Sequence, residues 1–266
     1  MTADSSNTSD IQKAQVQAYF SRTAANYVTS SSHRTGSDLQ RLIELGEWDA
    51  ALHAIDIATG GGHTALAIAP HVAQITVTDL TPAMLEQAKA FLTGQGVTNA
   101  QYRIADAEQL PFADNSFDRA TCRIAPHHFP NVSQAVNEIA RVLKTHGLFL
   151  LIDSCAPADP ELNAFLNGIE KWRDNSHICS YTQEQWQTFF QEADLEIERA
   201  EMFRRTHNYR EWTTRSQLSA EETSQLEAHI LSRSQSVQSY FEIVKNEAGQ
   251  LISFSADYIL LKGRKK

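Results

Sequence analysis

Asp56-Ile-Ala-Thr-Gly60-Gly-Gly62-His-Thr-Ala65 is the part of this 266-residue chain best suited to handling a ligand. Glycines let the backbone turn sharply, and without a Cβ they let a ligand approach closely. A helix starting just behind them offers unpaired N–H groups to a carboxylate or phosphate. Gly60-x-Gly62-x-x-Ala65 alone also fits a dinucleotide fingerprint, so the loop by itself leaves the ligand open. Asp79 follows about 20 residues later, where an acidic group can accept both hydroxyls of a ribose. Asp106 is a third carboxylate, able to accept a hydrogen bond from an exocyclic amine such as that of adenine.

These groups act together only if each ends a strand of one sheet. Ala54–Ala58 reads as a buried strand, Gln74–Thr78 as a β-branched one, and Gln101–Ala105, Arg119–Arg123 and Leu148–Asp153 as three more. Helical patterns separate them: His63–Pro70, a helix opened by Thr81-Pro82 with Leu85, Ala88 and Leu92 inside, and one carrying Val136, Ile139, Ala140 and Leu143. Strands alternating with helices imply an α/β fold, a doubly wound, mostly parallel sheet with helices on both faces. Such sheets bind ligands outside the carboxyl ends of their strands.

The flanks read differently. Residues 1–9 are Ser/Thr/Asp/Asn-rich and are expected to form a disordered tail. Ser9-Asp-Ile-Gln12 fits a capping box opening a helix that ends near Arg22, and a second helix is expected over Ser37–Leu45. Residues 10–47 thus form a helical N-terminal lid, and 48–155 the ligand-binding core. Residues 156–266 continue the same domain with a helix at 161–173, capping boxes at Thr182 and Ser219, a strand at Leu195–Phe203, a helical insert at 209–247 and a last strand through Ile252, Phe254, Ala256, Tyr258 and Leu260.

Composition narrows the partners. Lys and Arg number 23 against 32 Asp and Glu, a net charge of −9 that argues against nucleic acid. Cys122, Cys155 and Cys179 form no C-x-x-C pair, so neither a disulfide framework nor a metal site is expected. The longest dense apolar run, Leu148–Ile152, is far short of the roughly 20 residues of a membrane span. The start has no basic, then apolar, leader, and the reading is cytoplasmic with no membrane partner. A homodimer is left open.

Taken together, Ala54–Gly62, Thr78-Asp-Leu-Thr-Pro-Ala-Met-Leu85, Ala105-Asp-Ala-Glu-Gln-Leu-Pro-Phe112 and Arg123-Ile-Ala-Pro-His-His-Phe129 resemble the class I S-adenosylmethionine-dependent methyltransferases, in the branch of the ubiquinone/menaquinone biosynthesis methyltransferases. The resemblance covers about residues 15–155. It implies a Rossmann-like sheet of seven strands with an antiparallel last strand, and S-adenosylmethionine as cofactor. It also implies that Ala58, Gly60 and Gly62 meet the methionine end and that Asp56 supports their loop. Asp79 would hold the ribose, Leu80 and Met84 the adenine face, and Asp106 and Ala107 the adenine edge. Arg123 and Ile124 would face the methionine moiety, and Tyr27 would close over it.

Methyl transfer from a sulfonium is an in-line displacement whose main demand is alignment. A general base is needed only if the acceptor must lose a proton. His127 and His128, just past the fourth strand, are the candidates for that base, with His33, Asp153 and Tyr19 behind them. Where the quinone-pathway enzymes carry Arg-Asn, this chain has Pro126-His127-His128, and its 209–247 insert is longer. The acceptor is therefore expected to be a small, mostly apolar or aromatic molecule, with Trp172 and Trp212 able to wall its pocket and Trp186 assigned rather to the core of its capped helix. The rival readings are an NAD-dependent oxidoreductase and a non-catalytic methyltransferase-like binding protein.

Overall fold

The computed structural model describes the backbone of residues 3–28 and 36–266 and the side chains of residues 8–22 and 36–266. Its strands are β1 (His53–Ile57), β2 (Gln74–Asp79), β3 (Ala100–Ile104), β4 (Phe117–Arg123), β5 (Leu143–Ala156), β6 (Tyr181–Thr182), β7 (Leu195–Asn208), β8 (Val244–Lys245) and β9 (Leu251–Lys265). Its helices are α1 (Ala3–Val28), α2 (Ser37–Leu45), α3 (His63–Ile68), α4 (Pro82–Gly94), α5 (Val132–Val142), α6 (Pro160–Arg173), α7 (Gln183–Glu192), α8 (Tyr209–Arg215), α9 (Ala220–Leu231) and α10 (Gln235–Tyr240).

The main sheet runs β3-β2-β1-β4-β5-β9-β7, the expected seven strands, with the two-residue strands β6 on β5 and β8 on β9. β1 to β5 pair in parallel, while β9 is antiparallel to both β5 and β7 and lies between them. The apolar run in β5 is explained by burial on both faces. Phe149 and Leu151 point into one core with α5 and α7; Leu150 and Ile152 point into the other with α2, α3 and α4. A third core under α6, α8, α9 and α10 gathers Phe165, Ile169, Trp212, Leu226 and Phe254 against β9.

Several boundaries move. α1 begins at Ala3, before the capping box expected at Ser9, and runs past Arg22 to Val28. The helix therefore takes in most of the segment expected as a tail. β7 continues beyond Phe203 to Asn208, which carries Arg205 and His207 towards the carboxyl edge of β5. The capping boxes at Thr182 and Ser219 form with both reciprocal bonds. Thr81 stands at the N-cap of α4, but its hydroxyl makes no cap bond. Among the described residues no helix is long and apolar enough to cross a membrane.

Candidate functional site

One cavity lies over the carboxyl ends of β1, β2 and β4, roofed by Lys13, Val16 and Phe20 of α1. Its floor begins where β1 ends. Asp56 is buried behind the loop and does not line the cavity; it accepts hydrogen bonds from the hydroxyls of Thr59 (2.6 Å) and Thr121 (2.7 Å). Burial pushes its carboxyl up to about 6. Ala58 and Gly60 line the cavity with positive φ, +52° and +57°. Gly62, expected at the cofactor, stands instead at the N-cap of α3 with φ +83°, and a Cβ there would meet the Ala88 Cβ of α4 at 3.4 Å. Its role is close packing between two helices.

Asp79 ends β2 and faces the cavity. Its two oxygens accept the N–H groups of Gly60 (3.1 Å) and Thr81 (2.8 Å), so its orientation is fixed before any ligand arrives. Burial raises its carboxyl to about 6, against the pull of those N–H groups. Leu80 and Met84 line the wall beside it, and Asp106 and Ala107 the next. Asp106 accepts the Glu108 N–H at 2.9 Å and an ion pair from Lys13 of α1 at 2.7 Å; the same ammonium reaches Glu108 at 2.6 Å. Lys13 thus ties the α1 roof to the end of β3, and no sequence pattern marks it.

The end of β4 supplies Arg123 and Ile124, both on the cavity wall. Arg123 is held by Asp38 of α2 at 2.7 Å. Ile124 sits at φ +55°, a strained conformation for a β-branched residue. Ile124 and Ala58 thus hold strain at the ends of neighbouring strands, and such strain clusters at binding and catalytic sites. A 3₁₀ turn, Pro126–His128, then presents two histidines to the cavity. Asp153 of β5, fully buried, accepts the His127 backbone N–H at 2.9 Å and pairs with its Nδ1 at 2.6 Å. A carboxylate only accepts, so the neutral ring carries its proton on Nδ1 and leaves Nε2 as the basic nitrogen. Burial opposes charge on His127, but the Asp153 carboxylate and its hydrogen bond outweigh it and raise the imidazole above its ordinary value. His128 goes the other way. Burial and the neighbouring His127 and His177 hold it well below that value, and its Nδ1 lies 3.1 Å from the Ser176 hydroxyl. The edge of Phe20 packs on its ring.

Beyond His127 the walls are basic. Arg173, Arg205, Arg215, His177 and His207 line this end with Glu170, Trp212 and Tyr258. This differs from the apolar wall of tryptophans expected there. Trp172 is 42% exposed and stands off the cavity, Trp212 lines it, and Trp186 is wholly buried in the sheet core, as its capped helix suggests. Tyr19 is buried off the cavity wall. The side chain of Tyr27 and the whole of His33 lie outside the described residues. Asp153 is among the candidates read from the sequence; the residues it does not point to, Lys13, Asp38, Glu170, Arg173, Arg205 and Arg215, come from distant elements, and only their meeting in space marks them.

The comparisons agree with this geometry. A family model described as "Methyltransferase domain" matches residues 55–151. The uncharacterized methyltransferase YcgJ of Bacillus subtilis is 38% identical over 247 residues, which cover 93% of this chain and 98% of that protein. The ubiquinone/menaquinone biosynthesis C-methyltransferase UbiE of Zymomonas mobilis is 31% identical over 139 residues, 50% of this chain and 57% of its own length. Among solved structures, a protein of Bacillus halodurans C-125 described as a methyltransferase superposes with a TM-score of 0.84 at 39% identity, covering 86% of this chain and 99% of that one. The Bacillus subtilis YcgJ structure gives 0.84 at 38%, covering 86% and 98%.

Proposed function

The chain belongs to the class I S-adenosylmethionine-dependent methyltransferases, and from that premise we propose that it moves a methyl group from S-adenosylmethionine to a small-molecule acceptor bound beside His127. One observation carries the reading: carboxylates at the ends of β2 and β3, the glycine loop of β1 and a histidine with a buried carboxylate partner all face one continuous cavity. The donor set suits the cofactor. Asp79, held by two N–H groups, suits a ribose diol; Asp106 suits an amine; Arg123 suits a carboxylate. When bound there, the cofactor would supply an activated methyl group on a positively charged sulfur.

The residues of this chain supply alignment and a proton acceptor. The floor from Ala58 to Gly60 and the wall at Ile124 fix where the methyl end can lie. His127 Nε2 takes a proton from an acceptor hydroxyl, amine or activated carbon as the new bond forms, and Asp153 stabilises the resulting imidazolium. Of the two histidines, His127 fits this role better, because its surroundings favour the charged ring while those of His128 oppose it. The roof formed by α1 excludes water from the displacement. The antiparallel β9 is not expected of a dinucleotide-binding Rossmann domain, which disfavours the oxidoreductase alternative. A non-catalytic binding protein would need no space beyond the cofactor end, and here the cavity continues past His127. With Cys122 and Cys155 buried and free, we read the protein as cytoplasmic.

Two measurements test this. Titration calorimetry with S-adenosylhomocysteine should show micromolar binding, about −8 kcal/mol. A labelled-methyl screen over small molecules, RNA and proteins should label small molecules alone. Tight NADH binding with none of the homocysteine derivative, or label in RNA or protein, would overturn the reading.

A further inference from the structure

Three imidazoles meet on the cavity wall. The ring centroids of His127 and His128 are 4.2 Å apart, those of His127 and His177 5.5 Å, and all three rings line the cavity. The segment carrying His177 is pinned to the 3₁₀ turn, because the Ile178 N–H donates to the His127 carbonyl at 2.8 Å. A neutral imidazole has one N–H and one bare nitrogen, and its hydrogen-bond partners decide which is which.

At His127 the decision lies with Asp153, which takes the Nδ1 proton and leaves Nε2 bare. At His128 it is made at one remove. The Ser176 hydroxyl lies 2.5 Å from Asp174 Oδ1, which also accepts the Ser176 backbone N–H at 2.8 Å. A carboxylate only accepts, so the hydroxyl proton goes to Asp174. Towards His128 Nδ1, 3.1 Å away, the Ser176 oxygen can then only accept. The Ser176 carbonyl is a second acceptor for this ring and draws the proton to the same side. His128 therefore carries its proton on Nδ1, and its Nε2 is bare.

His177 is fixed in the opposite sense. Its Nε2 lies 3.0 Å from Asn167 Oδ1. That amide has one orientation only: Oδ1 accepts the Ser180 N–H at 2.6 Å, while Nδ2 donates to Asn163 Oδ1 at 3.0 Å and to the Ser180 carbonyl at 3.2 Å. So His177 Nε2 donates and Nδ1 is bare. Burial, and after it the neighbouring His127, holds His128 well below its ordinary value and brings His177 down to about 3, so both rings stay neutral. Among the described residues none donates to the three bare nitrogens. Nor is any group of His, Cys, Asp and Glu side chains there arranged to hold a metal ion. What fits them is a set of hydrogen-bond donors on a guest.

We propose that the methyl acceptor carries at least two hydroxyl or neutral N–H groups, one facing His127 and the others received by His128 Nε2 and His177 Nδ1. His127 takes the proton of the group that reacts, and the other two rings hold its neighbours, which selects the reacting position. An ether or hydrocarbon of the same shape would leave these nitrogens unpaired, the kind of mismatch by which a hydrogen-bonding site rejects an analogue. Calling the guest an acceptor rests on the methyl-transfer reading; the tautomers and the preference for donors do not.

Nitrogen NMR of isotope-labelled histidine side chains reads the tautomers directly. His127 and His128 should be protonated on Nδ1 and His177 on Nε2; His128 protonated on Nε2, or His177 on Nδ1, overturns the proposal. Resorcinol, meta-phenylenediamine and the dimethyl ether of resorcinol are then titrated by calorimetry into protein saturated with S-adenosylhomocysteine. At least one of the two donors should bind at least about tenfold more tightly than the ether, a difference of about 1.4 kcal/mol. The tighter of them tells hydroxyl from N–H. His128→Phe should remove much of that preference. Ser176→Ala, which keeps the ring but releases its proton to Nε2, should reduce it less, with the thermal transition preserved. Equal binding of all three probes, no binding by any, or a preference untouched by both substitutions also overturns the proposal. Titration with S-adenosylhomocysteine alone separates the two ideas. If it fails while resorcinol still binds selectively, the cofactor reading falls and the donor preference stands; the reverse result removes the donor preference alone.

Discussion

At the glycine-loop end of the cavity the wall is acidic, with Asp79, Asp106 and Glu108, and backbone N–H groups supply the donors. At the opposite end Arg173, Arg205 and Arg215 face inward from three separate elements. Between them stand two histidines, one raised and one lowered. The acidic end offers carboxylates; the opposite end is walled by guanidiniums. A cationic sulfonium lies more favourably towards the first than the second, so opposite wall charges can set which way a charged donor lies along one cavity.

The largest effect that would break this division is at its centre. His127→Ala should lower turnover on any acceptor found by roughly 10²–10⁴, the usual share of a general base, with S-adenosylhomocysteine affinity unchanged. A drop of only about twofold would leave catalysis to alignment and make the ring a packing group.

The acidic end gives the next largest. Asp79→Ala should weaken S-adenosylhomocysteine by at least about tenfold, because hydrogen bonds to a charged group contribute roughly 1.5–3 kcal/mol. The pH dependence follows from burial. With the folded carboxyl near 6, the ribose acceptor is ionised above that pH and protonated below it. Affinity should therefore rise with pH through about 6 and fall about tenfold from pH 7 to pH 5, and Asp79→Asn should flatten the curve. A wild-type affinity flat over that range would place the ribose elsewhere.

Asp153→Asn gives a smaller effect of the opposite kind. His127 must be neutral to act as a base, and its raised imidazole puts the rising limb of the pH–rate profile above the ordinary histidine value. Losing the Asp153 charge lowers that imidazole and moves the limb to lower pH, with a reduced maximum. An unmoved limb would mean that another group titrates. Smallest is the roof. Lys13→Met removes the ion pairs to Asp106 and Glu108 and should speed amide exchange in residues 10–22 a few-fold. In the intact protein the same amides should slow when S-adenosylhomocysteine binds, and equal exchange with and without it would remove α1 from any gating role.

The two ends also differ in how far sequence reveals them. Gly60, Asp79 and Asp106 each stand at or just past the end of a short strand and precede a turn or helix, so a local pattern carries both the element and the ligand group. Gly62 shows the limit of that logic. Its neighbours predict a ligand contact, but what requires glycine there is Ala88 of α4, a partner 26 positions on. The basic end has no local pattern at all. Arg205 reads as one polar residue in a half-exposed strand, and its partners Asp38 and Tyr258 come from the first helix after the roof and from the last strand. Trp172 misled for the same reason: residue type suggested a wall, and packing left it at the surface, whereas the capped helix of Trp186 correctly pointed to the core. What the sequence showed clearly was the part of the site whose neighbours in space are also neighbours along the chain.

The position of β9 between β5 and β7 has a consequence for how the molecule is made. Leu148 of β5 pairs with Arg264, and Leu195 of β7 with Lys265, so the strand joining the two comes after everything it joins. While the chain is being synthesised, the glycine loop and β1 to β5 can assemble first, leaving the outer edge of β5 open. β7, with Arg205 and His207 on it, has no sheet to join until β9 arrives. Non-local pairing of this kind is slow, and an open apolar edge invites a wrong partner. The nascent molecule therefore passes through a stage that has the glycine loop, Asp79 and Asp106 but not the arginine wall, and cofactor present at that stage would act on the half already formed.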